Sequence, residues 1–408
     1  MDLNTKNIKS ILVSYQNNDL AQNKSAQVIF GAIKPTGVLP VSIGEEFPLH
    51  SSISTKTLNR LSYSHPHRQG FDVNKLKKID SIALYAIKKK MTPGAQILVS
   101  RNGDVIYNKT FGTKTYESKS MVFWDDVYDL ASLTKILSTI PLMMSEFEKK
   151  SFDLDTNLSE LLPNHKLGDK SDLTIKEMFS HHSGLYPWIP FYKKTLDSLD
   201  NKPSKKWYRS KKDDDFNIKV VENLFLKNLF SDSIQSNILN SQLSAKKEYV
   251  YSDLPYYFMK TYLEKKNNSN LDYQLKKKFL TTIGANNTSY NASSAFKKNR
   301  IVPSEIDNYF RHKTLVGFVH DMGAAMQGGI GGHAGLFSNS NDVAKIMQMY
   351  LQRGLYGGLT YIDGITLDYF NTCYFCDQNN RRGIGFDKPQ IDDSESTCGC
   401  VPNSSFGH

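Results

Sequence analysis

Ala131-Ser132-Leu133-Thr134-Lys135-Ile136-Leu137-Ser138-Thr139-Ile140-Pro141-Leu142-Met143-Met144 is the stretch on which the reading of this chain turns. It follows the strand-like run Val127-Tyr128-Asp129-Leu130, and its apolar character from Ile136 onward predicts a buried helix. Ser132 and Lys135 are three residues apart, so on a helix they share a face and the Lys135 amine can reach the Ser132 hydroxyl. A serine at a helix start also sits among unpaired backbone N–H groups, at the positive end of the helix dipole. A lysine buried there loses its proton more easily, because desolvation disfavours the charged form. Such a pair is an activated nucleophile that needs no histidine. Spacing alone is weak, since Ser244 with Lys247 and Ser294 with Lys297 repeat it without these flanks. A helix N-terminus with an incidental lysine explains the segment equally well.

Upstream, Asp72 is placed to cap a helix over 71–90 whose apolar face is Val73, Leu76, Ile79, Ile82, Ala83, Ala86 and Ile87. Two apolar runs then flank Arg101-Asn102-Gly103-Asp104 and predict a hairpin over 95–111, Asn-Gly being the strongest short hairpin signal. Further toward the N-terminus, 8–15 and 37–43 read as short strands around a helix-compatible stretch, a unit too small to bury a core alone. Residues 48–71, rich in Ser, Thr, His, Pro and Arg, read as a linker. Residues 193–218 are poor in apolar side chains and read as an exposed, mobile insertion at a pocket rim.

Other segments bear on chemistry less directly. Tyr251-Ser252-Asp253 precedes an apolar stretch, where a lone tyrosine is usually a packing residue. His181-His182-Ser183-Gly184 lacks the third ligand that metalloprotease spacing requires and reads as a turn. The glycine-dense loop Gly328–Leu336 lacks the Lys-Ser/Thr ending of a phosphate cradle and reads as close backbone packing beside a pocket. Cys373, Cys376, Cys398 and Cys400 allow a four-thiolate zinc site, two disulfides or free thiols. The 408 residues carry 51 Lys and Arg against 41 Asp and Glu, a balance of +10. The lysines are dispersed, and the densest run, 205–215, largely cancels itself with three aspartates, so a solvated surface is favoured over a nucleic-acid partner. No apolar run reaches the length of a transmembrane helix, and the first fifteen residues do not read as a signal peptide.

Taken in order, Ala131–Lys135, Phe179–Leu185, Tyr249–Asp253 and Gly332–Ser338 resemble the β-lactamase-related serine hydrolases, which include class C β-lactamases, D-Ala-D-Ala carboxypeptidases and esterases. The resemblance spans 72–408. It implies an α/β sandwich of the β-lactamase/transpeptidase type: an antiparallel sheet flanked by helices, plus an all-helical region. It further implies Ser132 as the acylated nucleophile, Lys135 as its partner and Tyr251 as a shared acid and base, with no cofactor and no metal. Asp253 stands where the family usually has asparagine, and His408 resembles the first residue of the family's third motif, favoured over His333-Ala334-Gly335, which reads as opening a helix, so Asp253 and His408 are candidate substrate-binding residues. The motif's remainder would lie beyond His408, which implies a C-terminally truncated domain with weak activity or none. Residues 1–47 resemble the tail of the C-terminal domain of glycoside hydrolase family 3, as in bacterial fusions of a glycosidase to such a domain. The implied substrate is a small molecule or a cell-wall peptide, and the implied location of the full-length protein is the periplasm or cell envelope. A non-catalytic peptidoglycan-binding or accessory module of the glycosidase is the alternative.

Overall fold

The computed structural model describes residues 7–390 and 401–408. Asn18 accepts a hydrogen bond from the Ala21 N–H and opens α1 (Asp19–Ile29). The expected strands on either side do not form: 8–15 and 37–43 are irregular, with only an isolated bridge between Ile43 and Phe47. A strand needs a paired neighbour and a covered face, and neither run has them. The stretch read as a linker ends in structure, because Leu61 and Ser62 are buried and β1 (Ser62–Tyr63) joins a sheet. Asp72 caps α2 (Val73–Lys88) as expected, its carboxylate accepting from the Asn74 N–H. The hairpin follows as β2 (Gly94–Arg101) and β3 (Asp104–Gly112), with Asn102 and Gly103 both at positive φ, the backbone a two-residue type I′ turn requires. Strand order is β1-β3-β2, β2 antiparallel to β3 and β1 parallel to it, with Ser62 opposite Asp104.

Leu76 packs with Ile106 and Tyr107 of β3, and Phe71, Ile79 and Ile97 border that cluster. Ile82, expected on the same face, is instead 69% exposed. The small hairpin covers only the stripe through Leu76, Ile79 and Ala83, and Ile82 lies one residue off it.

A second three-stranded sheet places the central helix. In it β4 (Tyr128–Asp129) pairs with one side of a later strand, described below, while α3 (Ile140–Glu148) runs inward with Ile140, Leu142, Met143 and Met144 at 0% exposure. Burying each such side chain stabilises the fold by about 1.5–3 kcal/mol. The region 193–218 departs from expectation. Its β5 (Tyr208–Arg209) forms an antiparallel sheet with β6 (Ile218–Val221) and β7 (Leu224–Leu226), in order β5-β7-β6. Tyr208 and Phe216 are buried, and the Tyr208 hydroxyl bonds Thr195 at 2.8 Å. A few large aromatics anchor the segment although its average composition is polar. The all-helical region contributes α4 (Leu254–Asn267), buried at Tyr256, Phe258, Met259 and Leu263. The central strand of the second sheet, β9 (Leu336–Ser338), lies between β4 and β8 (Ser289–Tyr290). It leads into α5 (Ser340–Leu351), which packs along β2, where the Ser340 N–H donates to Gln96 Oε1. Among the described residues no helix is long and apolar enough to cross a membrane.

Candidate active site

The backbone ahead of Ser132 is held in an unusual conformation. Ala131 has φ of 46°, in the left-handed region that residues with a side chain rarely adopt unless their surroundings impose it. Asp129, at the end of β4, imposes it: one carboxylate oxygen accepts from the Ala131 N–H at 2.9 Å, the other from the His320 N–H at 2.6 Å. Burial raises the Asp129 pKa. Beyond Ser132 the chain turns helical, and Lys135–Thr139 forms one π-helical turn before α3, a feature often found at functional sites. Thr134 Oγ1 accepts from the Leu336 N–H (3.1 Å) and Thr139 Oγ1 donates to the Gly332 carbonyl (2.6 Å), which ties the turn to the glycine-dense loop.

Lys135 is wholly buried there. Its Nζ lies 2.8 Å from Ser132 Oγ, 3.4 Å from the His333 carbonyl and 2.7 Å from Asp253 Oδ1. The rings of Tyr251 and Tyr256 lie beside it, with centroids 4.9 and 5.2 Å from Nζ. The structure therefore brings Ser132, Lys135, Tyr251 and Asp253 together. The ion pair with Asp253 is what the sequence reading did not foresee for that residue.

His408 joins the same group, its Nε2 3.0 Å from the Tyr251 hydroxyl. It is held by the Gly407 backbone, which pairs with Asp387, and by Phe406, which packs edge-on against Phe386 at 5.2 Å. Burial of its ring, then the charges of Lys135 and Arg382, lower the His408 pKa to about 4.

The Tyr251 segment is pinned by the turn containing His181 and His182. The Val250 N–H donates to the His181 carbonyl, the Asp253 N–H to the Pro187 carbonyl, and the Ser252 N–H to His181 Nδ1 at 3.0 Å. That last bond requires an unprotonated Nδ1. Burial, then the Arg382 charge, push the His181 pKa well below its usual value and keep it so. The His181 ring lies against Tyr251 with centroids 4.5 Å apart. The turn reading of this segment agrees with its geometry, and Gly184 at φ 74° closes it against the Ser244 carbonyl.

The glycine-dense loop is the expected close approach. A Cβ on Gly332 would stand 2.3 Å from the Tyr256 carbonyl, and one on Gly335 equally near the Gly329 carbonyl. The loop presents His333, whose Nε2 bonds Asp321 at 2.8 Å and whose ring stacks on Tyr257. Burial raises the Asp321 pKa, but His333 and the Ala324 N–H outweigh it and hold the carboxyl far below the carboxylate range. Asp253, Asp321 and His333 offer ligand atoms within 4.8 Å of one another, a spacing that fits a metal ion. In this arrangement, however, Lys135 already pairs with Asp253 and His333 with Asp321. The same residues, with Trp188 and Tyr192, line a small pocket beside Lys135.

Asp321 and Arg382 were not found from the sequence. Asp321 shows there only as a helix-capping residue, and Arg382 stands in an unremarkable Arg-Arg-Gly turn. Arg382 is 4% exposed, with its guanidinium carbon 5.0 Å from the Tyr251 centroid. Of the four cysteines, Cys373 and Cys376 form a disulfide, so they are not thiolates free for a four-cysteine zinc site. Cys398 and Cys400 lie outside the described residues.

The chain is similar to several known proteins. The Beta-lactamase family model matches residues 85–363, more than half of the chain. An Escherichia coli protein named as a candidate D-alanyl-D-alanine carboxypeptidase is 26% identical over 346 residues, covering 79% of this chain and 74% of that protein. An N-acetylmuramyl-L-alanine amidase of Bacillus subtilis is 27% identical over 327 residues, covering 74% and 68%. Among solved structures, the octameric penicillin-binding protein homologue of Pyrococcus abyssi superposes with a TM-score of 0.54 at 19% identity, over 74% of this chain and 61% of that one. With a matching family model over most of its length and the corresponding fold, the chain belongs to the beta-lactamase family of serine hydrolases.

Proposed function

We propose that Ser132 is the acylated nucleophile and that Lys135 and Tyr251 relay its proton. The observation that carries this reading is the Lys135 side-chain nitrogen, wholly buried, 2.8 Å from Ser132 Oγ and beside the Tyr251 ring. The Ser132 oxygen attacks the substrate carbonyl as its proton passes to the relay, and the relay returns a proton to the leaving amine or alcohol as the acyl bond breaks. Water then enters, gives up a proton to the same relay and releases the acid, restoring Ser132. The Ser132 N–H, which donates to no backbone carbonyl among the described residues, is one donor for the developing oxyanion. Asp253 holds Lys135 in place, and His408 bounds the site beyond Tyr251 as the entry to the third motif.

The substrate class we infer is a cell-wall peptide amide, hydrolysed in the cell envelope, on the strength of the carboxypeptidase and amidase relatives. Residues 1–47 we take as the tail of a family 3 glycosidase domain. Their exposed apolar side chains, among them Ile8, Leu12 and Val13, suit a segment whose own core lies elsewhere. The test is labelling with a fluorophosphonate and a fluorescent penicillin, read by intact mass, beside digestion of purified muropeptides. A label that disappears in Ser132→Ala supports the nucleophile. Released D-alanine or released peptide beginning at L-alanine supports the substrate class. Labelling that persists in Ser132→Ala would overturn the assignment.

A further inference from the structure

The groups facing Tyr251 come from five places. The helical turn contributes Lys135, the start of α4 contributes Asp253 and Tyr256, the turn at 180–184 His181, the C-terminal segment His408, and the irregular stretch after the disulfide Arg382. Lys135 is matched by Asp253 at 2.7 Å. Burial keeps His181 neutral, and His408, with a pKa of about 4, is neutral at pH 7. Arg382 is different. Its nearest counter-ion among the described residues, Asp387, is 3.5 Å from Nη2, while the same carboxylate binds Arg381 at 2.7 and 3.1 Å. Among the described residues Arg382 thus has only a share of one aspartate, and its guanidinium lies against Tyr251.

Arg382 is also incompletely paired. Its Nε donates to the Tyr249 hydroxyl at 3.2 Å, and its backbone N–H donates to Asn380 Oδ1, but Nη1 is buried with no hydrogen-bond partner among the described residues. A buried guanidinium N–H without a partner is costly, so packing alone is a poor account of an arginine at this position. The guanidinium instead lies over two tyrosine rings, with centroids at 5.8 Å for Tyr249 and 5.0 Å for Tyr251.

We propose that Arg382 is a positioning residue for the proton relay: its guanidinium fixes the Tyr251 ring beside Lys135 and offsets negative charge as it develops on the phenol oxygen. The proposal rests on the assignment of Tyr251 to that relay. A cation within about 4–6 Å favours the anionic form of an acid, so its removal makes the relay work only at higher pH.

The experiment measures the rate of Ser132 acylation by a fluorophosphonate from pH 5 to 10, in the wild-type chain and in Arg382→Gln, Arg382→Lys, Asp387→Asn and Tyr251→Phe. Arg382→Gln is expected to slow acylation about tenfold at pH 7 and to move the acid limb up by about one pH unit. Arg382→Lys should recover most of that shift. Asp387→Asn, which removes the shared counter-charge, should move the limb the opposite way, and it carries the test if Arg382→Gln does not fold. A uniform loss of rate with the limb unmoved, a lysine variant no better than the glutamine one, or an unmoved limb in Asp387→Asn would each overturn the proposal. Tyr251→Phe separates the two levels of argument. If it reacts at the wild-type rate, the relay assignment itself fails. If it loses its rate while Arg382→Gln keeps its limb, only the role of Arg382 fails.

Discussion

At the scale of single residues, the site rests on a buried ion pair whose members are not equally enclosed. Lys135 has no exposed side-chain surface and Asp253 has 20%. Removing either partner leaves the other charge uncompensated. Asp253→Asn or Lys135→Met should each destabilise the chain by about 3 kcal/mol, measured by urea unfolding. The double variant should lose less than the sum, with a coupling of about 1–3 kcal/mol, and strict additivity would show that the pair does not interact in solution. Lys135→Met should also lower fluorophosphonate labelling about 100- to 10,000-fold, the usual contribution of a side chain positioned for proton transfer.

His181 gives a pH prediction whose sign follows from its burial. Its folded pKa is depressed, so below about pH 6.5 the unfolded chain binds a proton that the native chain does not. Stability is therefore full above that pH and falls as pH drops, by up to about 1.4 kcal/mol per unit from this one group. Comparing unfolding at pH 7 and 5.5 in wild type and His181→Gln should show a shallower decline in the variant. Equal slopes would mean that His181 is protonated in the native state. This residue also marks where sequence reading stops. Ser132 and Lys135 are legible because three residues on a helix fix their geometry locally. His181 and Arg382 reach the site through contacts spanning 70 residues or more, and Asp321 through His333, 12 residues on, beyond the reach of a helix or strand pattern.

At the scale of elements, the hairpin and the central helix were legible because Asn102-Gly103 and the apolar run after Lys135 act over a few residues. The strands 8–15 and 37–43 were not, since pairing depends on partners that sequence alone does not reveal. The glycine-dense loop is an element whose role is contact distance. Gly332→Ala puts a methyl group 2.3 Å from the Tyr256 carbonyl, which is backbone and cannot rotate away. The loop and α4 must separate, at a cost of about 1–3 kcal/mol. Because the Gly332 carbonyl also receives the Thr139 hydroxyl, labelling of Ser132 should fall together with the melting temperature. Gly37→Ala, where nothing lies within 4 Å, is the matched control and should change neither.

At the scale of the whole molecule, the chain divides by how its apolar residues are covered. From Leu61 to Phe386 they form one large cluster with two satellites, and that cluster includes Tyr208 of the region 193–218, with Leu196 and Trp207 packed against it. Ahead of it, Ile8, Ile11, Leu12, Val13, Val38 and Val41 are 43–59% exposed. Among the described residues the N-terminal part is attached by polar contacts that include Gln27 with both backbone groups of Tyr63, Lys24 with the Tyr63 carbonyl, and the Leu58 N–H with the Gly31 carbonyl. At about 0.5–1.5 kcal/mol each, such bonds hold α1 in place but add little to a domain of this size. Removing residues 1–47 should therefore leave Ser132 labelling unchanged, lower the melting temperature by only a few degrees, and reduce self-association by taking away the exposed apolar surface. Differential scanning fluorimetry, light scattering and fluorophosphonate labelling of the shortened chain make the check. A drop of more than about 10 °C, or loss of labelling, would show that the first 47 residues are part of the hydrolase fold and not a separate remnant beside it.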